Sequence, residues 1–138
     1  MSQKFVKEIV AQLQDIVGLK QEHFICFSLD SNHKLAARRT VFIGTLTSVL
    51  AHPREVFAGA IEDRALAIIV AHNHPSGDPQ PSKADITMTQ QFVAAGQILG
   101  IPLKDHIIVG GKTHFSFREQ GLIAPDIYSS REGVHEWT

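Results

Sequence analysis

His72 and His74 stand two residues apart at the end of an apolar run, residues 65–71, and open the stretch His72-Asn73-His74-Pro75-Ser76-Gly77-Asp78-Pro79-Gln80-Pro81-Ser82-Lys83-Ala84-Asp85. Side chains along a strand alternate with period two, so both imidazoles project to one side and can converge on a single ion. Asp85, eleven residues after His74, offers an oxygen ligand. Two imidazoles and one carboxylate leave a fourth position open, the arrangement of catalytic rather than structural zinc. Zinc is the expected ion, although ligand type alone also admits manganese, iron or nickel. An ion held this way lowers the pKa of water toward about 7, and a nearby base must then take the proton.

Each of these residues also has a plainer reading. Histidines after a strand can be ordinary loop residues, but paired spacing directly after a buried run, in a loop stiffened by Pro75, Pro79 and Pro81, favours ligands. Ser82-Lys83-Ala84-Asp85 has nearly the form of a capping box, with Ser82 as helix cap and an acid at the third helical position reaching back. The two roles are compatible, because the helix dipole stabilises a first-turn carboxylate in its charged form by roughly 0.3–1 kcal/mol. Asp78 is the rival third ligand, though its place between Gly77 and Pro79 suits a turn. For the base, Glu22 heads an apolar strand, where packing gives no reason for an acid; Glu55 opens a helix, where the dipole already accounts for it. Both stay open on these grounds, with Glu22 slightly ahead.

The elements around the stretch follow from hydrophobic spacing. Phe5, Ile9, Leu13 and Ile16, widened by Val6, Val10 and Val17, predict a helix over residues 2–17 with Gly18 as its stop. Residues 22–29 read as a strand, closed by Asp30-Ser31-Asn32, and residues 34–43 as its antiparallel hairpin partner ending at Gly44. Pro53 opens a helix carrying Val56, Phe57, Ala60 and Ile61 up to Asp63. Residues 66–70 are a short continuous apolar run, as in a central strand covered on both faces. Ile86, Thr89, Phe92, Val93, Gly96 and Leu99 mark a helix stopped by Gly100 and Pro102; residues 103–109 and 113–117 read as strands joined by Gly110-Gly111. The expectation is an α/β or α+β domain with a mixed sheet of about five strands and three helices, a helix connecting the second and third strands, and a loosely packed tail over residues 124–138.

A chain of 138 residues fits one domain, and 43% apolar with 20% charged residues is ordinary for a globular protein. The net charge of -1 gives no pull toward nucleic acid, and Arg38-Arg39 is too short for a basic patch. The sole cysteine, Cys26, lies in an apolar segment and reads as a small buried hydrophobe in a reducing compartment. With no membrane-length apolar stretch and no signal-peptide core, the expected location is the cytoplasm, with no membrane partner.

His72-x-His74 followed by Pro75-Ser76-Gly77 and then Ser82-x-x-Asp85 resembles the JAMM signature of the MPN metallopeptidase superfamily, and the continuation Asp78-Pro79-Gln80-Pro81-Ser82 is similar to its bacterial RadC branch. Supporting segments are Glu22-His23-Phe24, Gly44-Thr45-Leu46, His52-Pro53-Arg54-Glu55-Val56-Phe57 and residues 103–110, so the likeness spans roughly residues 5–123. The resemblance implies a JAMM/MPN domain over residues 1–123, with a mixed sheet flanked by helices and similar to the cytidine-deaminase architecture. It assigns zinc to His72, His74 and Asp85 and places the catalytic glutamate at the head of a strand before the histidine pair, which matches Glu22 better than Glu55. Glu22 would take a proton from a metal-activated water and later deliver it to the leaving nitrogen of a peptide or isopeptide bond. Ser82 would donate a hydrogen bond to the oxyanion, in competition with its capping role.

A peptide or protein is the expected substrate. The alternative is a non-catalytic metal-binding module associated with DNA repair. Against that link, RadC proteins commonly carry a helix-hairpin-helix segment before this domain, and here only about twenty residues precede Glu22. A zinc nucleobase deaminase needs His-x-Glu and a Pro-Cys-x-x-Cys pair, which a chain with Cys26 alone cannot supply. Asp105-His106, with no spacing relation to the motif, reads as a structural pair more readily than as a pair orienting a ligand.

Overall fold

The structure, a computed structural model, describes residues 2–45, 47 and 50–124. Leu46 and the expected tail from residue 125 onward lie outside the described residues. In chain order the elements are α1 (Gln3–Gln12), β1 (His23–Leu29), β2 (Leu35–Ile43), α2 (Pro53–Glu62), β3 (Ala67–Asn73), α3 (Lys83–Leu99), β4 (Leu103–Gly110) and β5 (Thr113–Ser116). They form one five-stranded sheet in the order β2-β1-β3-β4-β5. β1 pairs antiparallel with both β2 and β3, β3 runs parallel to β4, and β5 returns antiparallel to β4. The mixed α/β architecture and the strand count agree with the sequence reading.

Burial explains the order. β3 and β4 are buried along their whole length and β1 from Phe24 onward, so the three central strands need cover on both faces. On one face Phe24, Ile68, Val70 and Ile108 pack with Val56 and Phe57 of α2 and with Met88 and Phe92 of α3. On the other, Ile25, Phe27, Ile69 and Ile107 pack with Val6 and Ile9 of α1. Removing side chains such as Phe24, Phe57 and Phe92 from water contributes roughly 1.5–3 kcal/mol each. The edge strand β2 instead alternates between half-buried and exposed residues over most of its length. Its two arginines make no basic patch: Arg38 pairs with Asp15 at 2.7 Å, and Arg39 grips Asp63 through Nε at 2.9 Å and Nη2 at 2.6 Å. Cys26 is buried as expected, and burial pushes its thiol up to about 12.

α1 is shorter than its apolar spacing predicts. The helix stops at Gln12, yet Leu13 and Ile16 remain buried. Leu13, Ile16 and Leu19 each donate a backbone N–H to the carbonyl three residues earlier. Such turns carry three residues each, so Val10, Leu13 and Ile16 keep to one side without an α-helix. At the other boundary of interest β3 runs past the apolar run to Asn73, which makes His72 a strand residue rather than a loop residue.

Candidate metal centre

β3 delivers the first imidazole and the loop after it delivers the second. His72 is buried within the strand, and His74, on the same side two residues on, begins the loop to α3 with its side chain 14% exposed. Their Nε2 atoms lie 3.1 Å apart. Asp85 reaches the same point from the first turn of α3: Oδ1 is 3.4 Å from His72 Nε2, and Oδ2 is 3.2 Å from His74 Nε2. Glu22, immediately before β1, places Oε1 4.0 Å and 3.9 Å from the same two nitrogens.

These separations test whether the donors suit a metal. Ligands about 2.0–2.2 Å from a tetrahedral zinc are about 3.3–3.6 Å from one another. The two imidazole nitrogens, 3.1 Å apart, and the Asp85 carboxylate, which meets one of them through Oδ1 at 3.4 Å and the other through Oδ2 at 3.2 Å, come close to that spacing. Candidate ligand atoms of Glu22, His72 and His74 also fall within 4.8 Å of one another, so Glu22 belongs to the same cluster. Asp85 sits nearer to both imidazoles than Glu22 does, so its carboxylate closes on the pair and that of Glu22 lies farther out.

The electrostatics favour positive charge at this point. Hydrogen bonding to Asp85 raises the pKa of His74 against the opposing effect of burial, helped by the Asp78 carbonyl and by the charges of Asp85 and Glu22. For Asp85 burial is the largest effect and opposes ionisation, but the imidazoles of His72 and His74 and the backbone N–H of Ser82 outweigh it and hold the carboxyl far below its ordinary range. A proton on Nε2 and a cation therefore compete for the same place.

The helix start that carries Asp85 is a complete capping box. Ser82 Oγ accepts from the Asp85 N–H at 3.0 Å, and Asp85 Oδ2 accepts from the Ser82 N–H at 2.9 Å. The expected competition for the Ser82 hydroxyl is thereby removed, since capping uses an oxygen lone pair and leaves the hydrogen to donate. Ser82 is exposed to solvent.

Sequence reasoning missed two supporting residues and favoured a structural reading for a third, His106. Asn73, between the two histidines, points to the opposite face of β3 and clamps the backbone on either side of Glu22: its Oδ1 accepts from the His23 N–H at 2.6 Å, and its Nδ2 donates to the Gln21 carbonyl at 3.0 Å. Its odd place in the alternation was the available signal. The other two are His106, whose Nε2 lies 2.9 Å from His72 Nδ1, and Thr89, whose Oγ1 lies 2.6 Å from His106 Nδ1. Parallel pairing of β3 with β4 sets His106 beside Val70, on the face that His72 shares. Reading Asp105-His106 as one structural pair is therefore corrected for His106. Asp105 does keep a structural role, accepting from Ser116 Oγ and from the backbone of Arg118 and His106.

The two rivals fall elsewhere. Asp78 is a turn residue whose side chain accepts from the Gln80 N–H, while its carbonyl accepts from His74 Nδ1 at 2.9 Å. Glu55 is exposed in the first turn of α2 beside Arg54 and lines a cleft with Arg39 and Val41.

A mixed sheet covered by helices on both faces, with imidazoles and carboxylates converging at the carboxyl end of a central strand, defines an α+β domain of the JAB/MPN type with a candidate metal centre. The chain belongs to the RadC-like JAB domain family, whose model matches residues 2–122. It is 49% identical over 109 residues to a UPF0758 protein of Bacillus licheniformis, covering 79% of this chain and 49% of that protein. Against UPF0758 proteins of Bacillus cereus and Bacillus velezensis the identities are 46% and 44% over 111 residues, covering 80% of this chain and 49% and 48% of those proteins. The chain thus spans about half the length of the relatives it matches.

Proposed function

We propose that this domain is a zinc-dependent hydrolase that cleaves a peptide or isopeptide amide bond. The observation that carries the reading is the convergence of His72 Nε2, His74 Nε2 and the Asp85 carboxylate within 3.4 Å, with a further carboxylate, Glu22, about 4 Å away. His72, His74 and Asp85 would hold the ion. Zinc in such a setting supplies Lewis-acid polarisation of a carbonyl and acidification of water. Glu22 Oε1, 4.0 and 3.9 Å from the two imidazoles, would accept a proton from the attacking water and return it to the departing nitrogen. Its side chain is 22% exposed, so it can meet both solvent and substrate. The Ser82 hydroxyl, free to donate, supports the carbonyl oxygen as negative charge grows there. Membership of a JAB family supports hydrolysis as the reaction class, while the relatives' printed names carry no activity.

Metal analysis of protein purified without added metal tests the site. The expected result is about one zinc per chain, lost in His72→Ala and His74→Ala; full occupancy in both variants would remove the assignment. Glu22→Gln should keep the metal and abolish cleavage in a peptide and isopeptide library. Salt-dependent DNA binding with no cleavage by the unsubstituted chain would favour the non-catalytic module instead.

A further inference from the structure

The hydrogen bonds behind His72 form a chain whose direction is fixed at one end. The Asp85 carbonyl can only accept, so the bond of 2.6 Å from Thr89 Oγ1 uses the hydroxyl's single hydrogen. Thr89 Oγ1 must then accept at its other contact, and the hydrogen of that bond sits on His106 Nδ1. His106 is fully buried, and its ring nitrogens meet only a hydroxyl and another imidazole among the described residues. With that hydrogen on Nδ1, the neutral form of the ring carries a lone pair on Nε2. In the neutral ring of His72, Nδ1 then donates to that lone pair, which leaves Nε2 without a hydrogen and aimed at His74 and Asp85. His74 needs no relay, because the Asp78 carbonyl fixes the hydrogen on its Nδ1 directly.

Packing holds both rings in place. Phe117 stacks on His106 with centroids 4.6 Å apart and planes 7° from parallel, and Phe24 stacks on His72 at 5.6 Å and 17°. The relay also closes on itself, since Asp85 contributes its carboxylate to the cluster and its carbonyl to Thr89.

We infer that Thr89 and His106 are positioning residues that set the tautomer in which His72 presents a lone pair to the metal. This rests on the metal-centre reading above. Removing the Thr89 hydroxyl while keeping its shape, as in Thr89→Val, deprives the buried His106 Nδ1–H of its acceptor. The neutral ring then moves its hydrogen to Nε2, His72 must accept at Nδ1, and the His72 hydrogen passes to Nε2, where it blocks coordination.

Long-range proton–nitrogen correlation spectra of the histidine rings, taken on the metal-free chain at mildly alkaline pH, read the tautomers without a loaded site. The unsubstituted chain should show Nδ1–H on both His72 and His106. In Thr89→Val both should shift toward Nε2–H, and zinc affinity by chelator competition should fall about 10–100-fold. Thr89→Ser, which restores the hydroxyl, should restore both readouts. Unchanged tautomers and affinity in Thr89→Val overturn the relay. If that variant does not fold, the unsubstituted spectrum decides, because Nε2–H on His106 overturns the relay by itself. Zinc binding with the wrong tautomers rejects the relay alone; the expected tautomers without zinc binding reject the metal reading and with it the role given to the relay.

Discussion

Asp105 shows how a residue next to the site can be structural and still leave a measurable trace. It is fully buried, and burial raises its carboxyl to about 6 against the bonds from Ser116, Arg118 and His106. Those bonds fold the turn that brings Phe117 onto the His106 ring. A carboxyl raised above its unfolded value of 3.8 contributes stability below that value and loses it as pH rises through about 6. The interval corresponds to on the order of 3 kcal/mol. An amide at 105 can accept the same two backbone N–H bonds and does not titrate. Asp105→Asn should therefore flatten the decline in stability between about pH 4 and 6, measured by urea unfolding at a series of pH values against the unsubstituted chain. Parallel curves for the two proteins would reject this account.

At the scale of elements the site depends on two junctions. The carboxyl end of β3 meets the start of α3 through a proline-stiffened loop, and that loop lies against β4 so closely that a Cβ at Gly110 would stand 2.9 Å from the Gly77 carbonyl. The amino end of β1 is the second junction, held to β3 by Asn73. Asn73→Ala removes the clamp and leaves the Gln21 carbonyl and the His23 N–H without it. Loss of about 1–3 kcal/mol of stability is expected, with zinc uptake retained and cleavage reduced, because Glu22 moves while His72 and His74 stay on their own element. Thermal unfolding with metal analysis checks this, and loss of zinc by a folded Asn73→Ala protein would show that the clamp supports the imidazoles instead.

Taken whole, the molecule ties its stability to pH through the charges of one cluster, and the proposed centre would tie it to metal through the same charges. In the metal-free chain the Asp85 contribution is present above about pH 3.8 and lost as pH falls through its lowered value; the His74 contribution is present below 6.5 and lost as pH rises through its raised value. The metal-free cluster therefore stabilises the fold most in the mildly acidic interval between those values. A cation that displaces the proton reverses the trend, so the rise in Tm on adding zinc should be small in mild acid and grow above pH 6.5. Calorimetry with and without zinc across that interval checks the sign, and a rise that shrinks toward alkaline pH would reject it. Much of this was legible in the chain itself. Period-two spacing put His72 and His74 on one side, the capping pattern put Asp85 in the first turn of α3, and an acid heading an apolar strand marked Glu22, because each signal is local and set by backbone geometry. The early end of α1 was hidden because turns of three residues and of 3.6 produce nearly the same apolar spacing over so short a stretch. Only the tertiary structure brought Glu22 rather than Glu55 to the imidazoles, since the antiparallel pairing of β1 with β3 sets Phe24 opposite His72 and so carries Glu22, two residues earlier, to the cluster. Only the parallel pairing of β3 with β4, whose register sets His106 on the face of His72, separated that histidine from Asp105 and joined it to His72, 34 positions away. Strand pairing is a property of two distant segments at once, and neither segment records its partner.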